Sequence, residues 1–370
     1  MSGLESAGLR TYPFSIVAPA EPTDMWADRR ELRARFERLV ASWTTNPRSG
    51  LYLMWADLGA GKTHALRFIE GLGRKRNPPS LAIYCDVPDT AVDFRSLYIQ
   101  AATRLSEEAL SEAIYKHRQT EGEAGWLSSS VLRGDRTTPR ILWTIAEAGA
   151  SAQGDLARRW LRGERLGARD LALLGATGWI KTSDDAIRTL TTIARLLSRS
   201  KHYSRVILMF DEFQRIGQVS QKRVKDINAG IASVFNGCPE GLAIILSYSF
   251  GAPENIRYMT TGEVLSRVGE NYHLPVLTVN DSGVFLSDLI AHHSTDGQQR
   301  VFEALAMKRL IEKLREDSHD RITPRKLMQV AGAVFDSAVA DGEAFPITAS
   351  VAERLYRAPV EDILQAELEH

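Results

Sequence analysis

The stretch "LYLMWADLGAGKTH", Leu51–His64, decides the fold. Its first half is apolar and β-prone and reads as a short buried strand. Small residues and glycines follow, and then a Lys-Thr pair opens the amphipathic run "THALRFIEGLG", which reads as a helix ending at glycines. Strand, glycine turn and helix in that order make a phosphate cradle. Gly59 and Gly61 let backbone amides turn inward, Lys62 can reach the β- and γ-phosphates, and the Thr63 hydroxyl can bind magnesium. The new helix also aims its positive dipole end at the phosphates. The expected nucleotide contacts are therefore Asp57, Leu58, Gly59, Ala60, Gly61, Lys62, Thr63 and His64. The usual pattern opens with glycine; here Ala56 holds that place and adds one methyl group.

A second element completes the chemistry. "RVILMFDEF", Arg205–Phe213, is an apolar run that ends in two carboxylates. A strand end of this kind can hold a magnesium ion through water with Asp211 and activate the attacking water with Glu212. "GLAIILSYSF" is a further apolar run, ending in Ser247 and Ser249. Ser247 is the better candidate to hold the water or the γ-phosphate. Arg267, at the end of a predicted helix before the last strand, could project from one subunit into its neighbour's site. Arg325, at the start of a later helix, could close a second domain onto the nucleotide.

Bulk properties bound the reading. The chain has 370 residues, room for two domains. Hydrophobic residues at 44% and charged residues at 25% are those of an ordinary globular protein, which argues against disorder. The 46 basic residues balance the 46 acidic ones, so any nucleic-acid contact must come from a local patch. The two cysteines, Cys85 and Cys238, are far apart and read as buried thiols of a reducing compartment. No apolar run reaches the roughly 18–20 residues a membrane span needs, so a cytoplasmic protein is expected. Leu368, Glu369 and His370 could be the stub of an expression tag.

Along the chain, Asp28 reads as the N-cap of a helix through Trp43, and "PPSLAIYCDVPD" gives a second strand. The long helical stretch before Ser204 reads as an insertion at about 107–182, and "NYHLPVL" as a last short strand. Beyond Thr278 the pattern is all helical. The expected fold is α/β, a parallel sheet with a helical insertion and a C-terminal all-helical lid. The expected domains are an arm and helix at 1–48, a nucleotide-binding domain at 49–277 and the lid at 278–370.

Taken in order, these elements resemble the AAA+ P-loop ATPases, in the branch that includes Orc/Cdc6 initiators, STAND switches and TnsC-like regulators. The resemblance implies Mg-ATP as ligand, with Lys62 and Thr63 in Walker A and Asp211 and Glu212 in Walker B. It further implies Ser247 as sensor 1, Arg267 as arginine finger and Arg325 as sensor 2. "WADRRELRARF" is similar to the segment that lies beside the adenine in such proteins, with Asp28 where glycine is common. A narrower likeness is to ATP-binding proteins of BREX-type phage defence, carried by Trp160, Gly163 and Glu164 in "RRWLRGERLGAR". Together these imply a nucleotide-dependent homo-oligomer, other defence or transposition proteins as partners, and no membrane.

Two basic clusters, "GRKRNPP" and the run holding Arg158, Arg159, Arg162, Arg165 and Arg169, could meet DNA phosphates, and a ring of subunits would multiply a modest patch. A solvated helix face interleaved with Glu164 and Asp170 is the competing reading of the second. His292 and His293 lack neighbours at metal-ligand spacing. Two functions remain open on the residues alone: an ATPase that remodels partners, and a switch whose slow turnover only resets it.

Overall fold

The computed structural model describes residues 3–126, 137–200, 202–250 and 252–359. The chain divides into two compact units. One comprises Met1–Phe36, Ala56–Ile69 and His273–His370; the other comprises Glu37–Trp55 and Glu70–Tyr272.

A five-stranded sheet is built from β1 (Gly50–Ala56), β2 (Ser80–Asp86), β3 (Arg205–Asp211), β4 (Leu242–Ser249) and β5 (Val268–Leu274), in the order β2-β3-β4-β1-β5. β2, β3 and β4 pair in parallel, in register from Ser80 beside Arg205 to Asp86 beside Asp211, and from Val206 beside Leu242 to Phe210 beside Leu246. Every residue of β3 is buried, as a strand covered on both faces requires. The last strand lies three residues earlier than "NYHLPVL" suggests. Pro275 follows Leu274 directly, and a residue with no N–H cannot extend the ladder.

Between β2 and β3 the larger unit carries six helices among the described residues: Phe94–Arg104, Glu107–Trp126, Thr137–Ala148, Ala152–Leu161, Ala168–Leu174 and Ser183–Arg199. Their ends are chemically defined. Asp93 accepts from the amide of Ser96, and Thr182 and Asp185 form a capping box. Arg95 bridges the carbonyls of Ile180 and Gly163, at 2.8 and 2.7 Å, and lies over the Trp179 ring. Gly230, in the helix Gln221–Gly237, lets Phe94 approach to within 2.2 Å of where a Cβ would stand.

The other unit has its own core. The helices Val279–His293, Ala304–Asp317, Pro324–Ala340 and Ala349–Leu355 enclose Leu286, Leu310, Leu314, Leu327, Val334 and Ala338. The N-terminal arm packs into it through Phe14, against Phe302 and Phe335. Arg10 donates to the carbonyls of Ser294 and His292, closing the C-terminus of the first of those helices.

One sequence expectation fails at the arm. The helix begins at Arg30, and the carbonyl of Arg29 accepts from Arg33, so Asp28 is not its N-cap. Capping needs extended backbone, whereas Asp28 and Arg29 both lie in the left-handed region, at φ 55° and 45°. The amide of Asp28 instead donates to Asp288 Oδ2 at 3.0 Å.

Candidate nucleotide site

The glycine turn belongs to the smaller unit. β1 ends at buried Ala56, residues 57–61 turn, and a helix runs from Lys62 to Arg74. Gly59 and Gly61 take φ 78° and 97°, a region that costs an L side chain and not glycine. Space is the second reason for Gly59. A Cβ there would stand 3.0 Å from Arg325 Cβ and 3.2 Å from Thr323 Oγ1. The amide of Arg325 donates to the carbonyl of Gly59 at 3.2 Å, so the first turn of Pro324–Ala340 is seated on the loop.

Side chains around the loop are mostly engaged. Asp57 pairs with Arg321 at 3.0 Å, Leu58 is exposed, and Lys62 is buried. Thr63 lies in the first turn of the helix, beside Lys62. His64 Nε2 meets the carbonyl of Met25 at 2.9 Å, and burial lowers the pKa of the ring. Arg29 donates to the carbonyl of Ala60 at 2.7 Å.

The acidic pair belongs to the larger unit. Asp211 ends β3, is fully buried, and accepts three hydrogen bonds: from Ser247 Oγ at 2.8 Å, Tyr84 OH at 2.9 Å and the amide of Glu212 at 3.0 Å. Register explains two of them. Phe210 beside Leu246 brings Asp211 next to Ser247, and Tyr84, beside Met209, lies on the face that Asp211 shares. Glu212 leaves the strand with φ 55° and ψ 37°, a conformation costly for a side chain other than glycine and concentrated at functional sites. Its carboxylate accepts from Ser249 Oγ at 2.9 and 3.0 Å and from Gln214 Nε2, while Gln214 Oε1 accepts from the amide of Ser249. Both serines of β4 therefore serve the pair, one on each acid.

Arg267 stands between the short helix Gly262–Leu265 and β5. Its guanidinium contacts Asn236 Oδ1 at 2.9 Å and both the carbonyl and the carboxylate of Glu263. Trp160 is buried and donates to the carbonyl of Gly178, Gly163 takes φ 74°, and Glu164 pairs with Arg159. Arg158 and Arg162 both pair with Glu107, and Arg158 also with Asp155, so much of that basic run is neutralised from within the unit.

No protein-family profile matches the chain, and no curated protein matches it. Among solved structures it is similar to the Aeropyrum pernix ORC2 protein, in its ADPNP–ADP complexes. The identity is 12%, over 97% of this chain and 75% of that one, with a TM-score of 0.57. It is likewise similar to Cdc6p from Pyrobaculum aerophilum, at 11% identity over 95% of this chain and 73% of that one, with a TM-score of 0.52.

The fold is AAA+, of the Orc/Cdc6 type.

At such identities the likeness is one of architecture, and the roles of side chains must come from their own chemistry. In this chain a glycine turn leads into a helix, and β3, between β2 and β4, ends in a carboxylate held by three donors. Thr63 carries an oxygen of the kind magnesium takes, and so, in the other unit, does Asp211. Among the described residues no group of three or more His, Cys, Asp or Glu could hold a metal ion. Among those residues, too, no helix is long and apolar enough to cross a membrane. Sequence reasoning did not reach Arg29, Tyr84, Gln214 or Arg321. Tyr84 could have been found from the period of β2, which places it on the same face as Asp86, and Arg29 lies in the segment "WADRRELRARF", where nothing singled it out from its neighbours; Gln214 and Arg321 carry no local signal.

Proposed function

We propose that this AAA+ chain binds and hydrolyses Mg-ATP at subunit interfaces and couples the cycle to assembly of a homo-oligomer and to remodelling or recruiting partners on DNA. The observation that carries the reading is the glycine turn itself: strand β1, two left-handed glycines, and a helix that opens on Lys62 and Thr63. In this reading residues 57–64 and Arg325 contact the nucleotide, with Lys62 on the β- and γ-phosphates. Thr63 and Asp211 hold magnesium, Glu212 draws the proton from the attacking water, Ser247 positions that water, and Arg267 serves a neighbouring subunit. Residues 49–277 act as the nucleotide-binding domain with its insertion at 107–182, residues 278–370 as the lid, and residues 1–48 as the arm beside the adenine.

The cytoplasmic setting is bacterial phage defence or a mobile element, with other proteins of such systems as partners; the Trp160–Glu164 segment is the feature behind it. DNA would be met by cations that acids leave uncovered, and Lys222, Arg223 and Lys225, exposed on the first turn of Gln221–Gly237, supplement Arg165 and Arg169.

One observation favours a second reading, a nucleotide-dependent switch with slow turnover. Glu212 is already hydrogen-bonded by Ser249 and Gln214, and those bonds must rearrange before its carboxylate can meet an attacking water.

The test is the mass and ATPase rate of wild type, Lys62→Ala and Glu212→Gln, each with ATP and with or without duplex DNA. Lys62→Ala should lose ATP binding. Glu212→Gln should bind ATP, fail to hydrolyse it and accumulate the assembled form. DNA-stimulated hydrolysis supports the remodeller; slow hydrolysis indifferent to DNA supports the switch. Normal turnover by Glu212→Gln removes it as the base.

A further inference from the structure

Arg29 makes the least ordinary contact with the glycine loop. Its Nη1 donates to the carbonyl of Ala60 at 2.7 Å, its Nη2 donates to the carbonyl of Pro275, and its Nε is buried without a hydrogen-bond partner. Burial pushes the guanidinium pKa down to about 10. Its hydrogen bonds reach neutral carbonyls only.

The backbone beneath it is held in a costly state. Asp28 and Arg29 are consecutive residues with positive φ, neither of them glycine. Such strain persists where surrounding contacts over-determine it, here the Asp28 amide on Asp288 and the two carbonyls that hold the guanidinium.

Peptide geometry gives the contact a consequence. The cis bonds lie elsewhere, so Ala60–Gly61 is trans, and the carbonyl of Ala60 and the N–H of Gly61 point to opposite sides of one rigid plane. Fixing the carbonyl on Arg29 fixes the direction of the Gly61 amide. With φ 97° at Gly61, that amide belongs to the cradle whose donors receive phosphate. Through Pro275, the same guanidinium reaches the segment that ends β5 and leads into the helix Val279–His293.

We propose that Arg29 is a positioning residue of the nucleotide site: it holds the Ala60–Gly61 peptide with its N–H toward the phosphates and links that peptide to Pro275, so that nucleotide occupancy is felt in the segment leading to the helical region. The inference rests on the ATP reading above and adds the residue that presets the cradle and reports on it.

Wild type, Arg29→Met and Arg29→Lys are compared by calorimetric titration with ATP and with ADP. Hydrogen exchange of the segments 57–66 and 275–285 is followed without nucleotide. Arg29→Met should bind both nucleotides about tenfold more weakly or worse, and exchange should rise in both segments together. Arg29→Lys should fall between, because one ammonium cannot span two carbonyls as a planar fork does. Millimolar guanidinium chloride should restore part of the affinity of Arg29→Met. Should Arg29→Met not fold, Arg29→Lys carries the comparison. Wild-type affinity with unchanged exchange overturns the inference. So does a loss of affinity that neither lysine nor guanidinium mends, which would mark a mere structural prop. A wild-type chain that binds no ATP defeats the ATPase reading and the nucleotide half of this inference. The exchange data then still show whether Arg29 ties the two segments.

Discussion

Ser247 Oγ donates to Asp211 Oδ1 across 2.8 Å, between neighbouring parallel strands and out of contact with solvent. The bond turns one lone pair of the acid away from any other partner and fixes the plane of the carboxylate. Ser247→Ala would leave a buried acceptor short of a donor, at a cost of about 1–3 kcal/mol. Hydrolysis should fall by roughly tenfold or more, the equivalent of about 1.4 kcal/mol of barrier, and the magnesium requirement should rise. Steady-state rates across a magnesium titration check this; an unchanged magnesium dependence would separate Ser247 from the metal.

Glu212 is held by Ser249 and Gln214 in a left-handed conformation. Ser249→Ala should free the carboxylate and raise ATP turnover severalfold if the clamp restrains it. A lower rate would show that Ser249 orients the base for reaction. Glu212→Gly should stabilise the fold by up to about 1 kcal/mol through relief of backbone strain while abolishing hydrolysis, a pairing visible in one thermal melt and one rate measurement.

Arg205 is buried at the start of β3, and its guanidinium donates to the carbonyls of Arg48, Asn46 and Trp43 at 2.7, 2.5 and 3.4 Å. These carbonyls lie at or beyond the end of the helix Arg30–Thr45, where acceptors run out of helical partners. Arg205→Met keeps the stem and removes the donors. Chemical denaturation should show a loss of about 2–4 kcal/mol, with ATP affinity per folded molecule unchanged.

His64 predicts a pH dependence. Burial, partly offset by the Met25 carbonyl, holds its folded pKa below the ordinary imidazole value of about 6.5. The folded state therefore disfavours the proton relative to the unfolded chain. Stability present above about pH 6.5 is lost as the pH falls toward the folded pKa. His117, His273 and His293 are shifted the same way, chiefly by burial. Denaturation midpoints should drop below neutrality, and the drop should be smaller in His64→Gln than in wild type.

Much of this molecule is legible along the chain. β3 and β4 announce themselves because strands buried on both faces must be apolar throughout, and the acids and serines stand out at their ends. The glycine turn is legible because its neighbours are periodic in two different ways, as a strand and then as a helix. Other features are not. The run from Arg158 to Arg169 reads as free charge until Glu107, far back in the chain, folds against Arg158 and Arg162. Asp28 looks like a helix cap because the residue type is right, while its backbone is left-handed and its amide is bonded to Asp288, 260 residues away.

By itself the sequence determined the elements whose cause is local: where strands and helices form, where glycine must stand, and which acids lie at a strand end. Only the tertiary structure decided which groups hold those acids and which arginine grips the glycine loop. Hydrogen bonds act over about 3 Å, and which side chains come that close is set by strand register and helix packing between residues far apart in the chain.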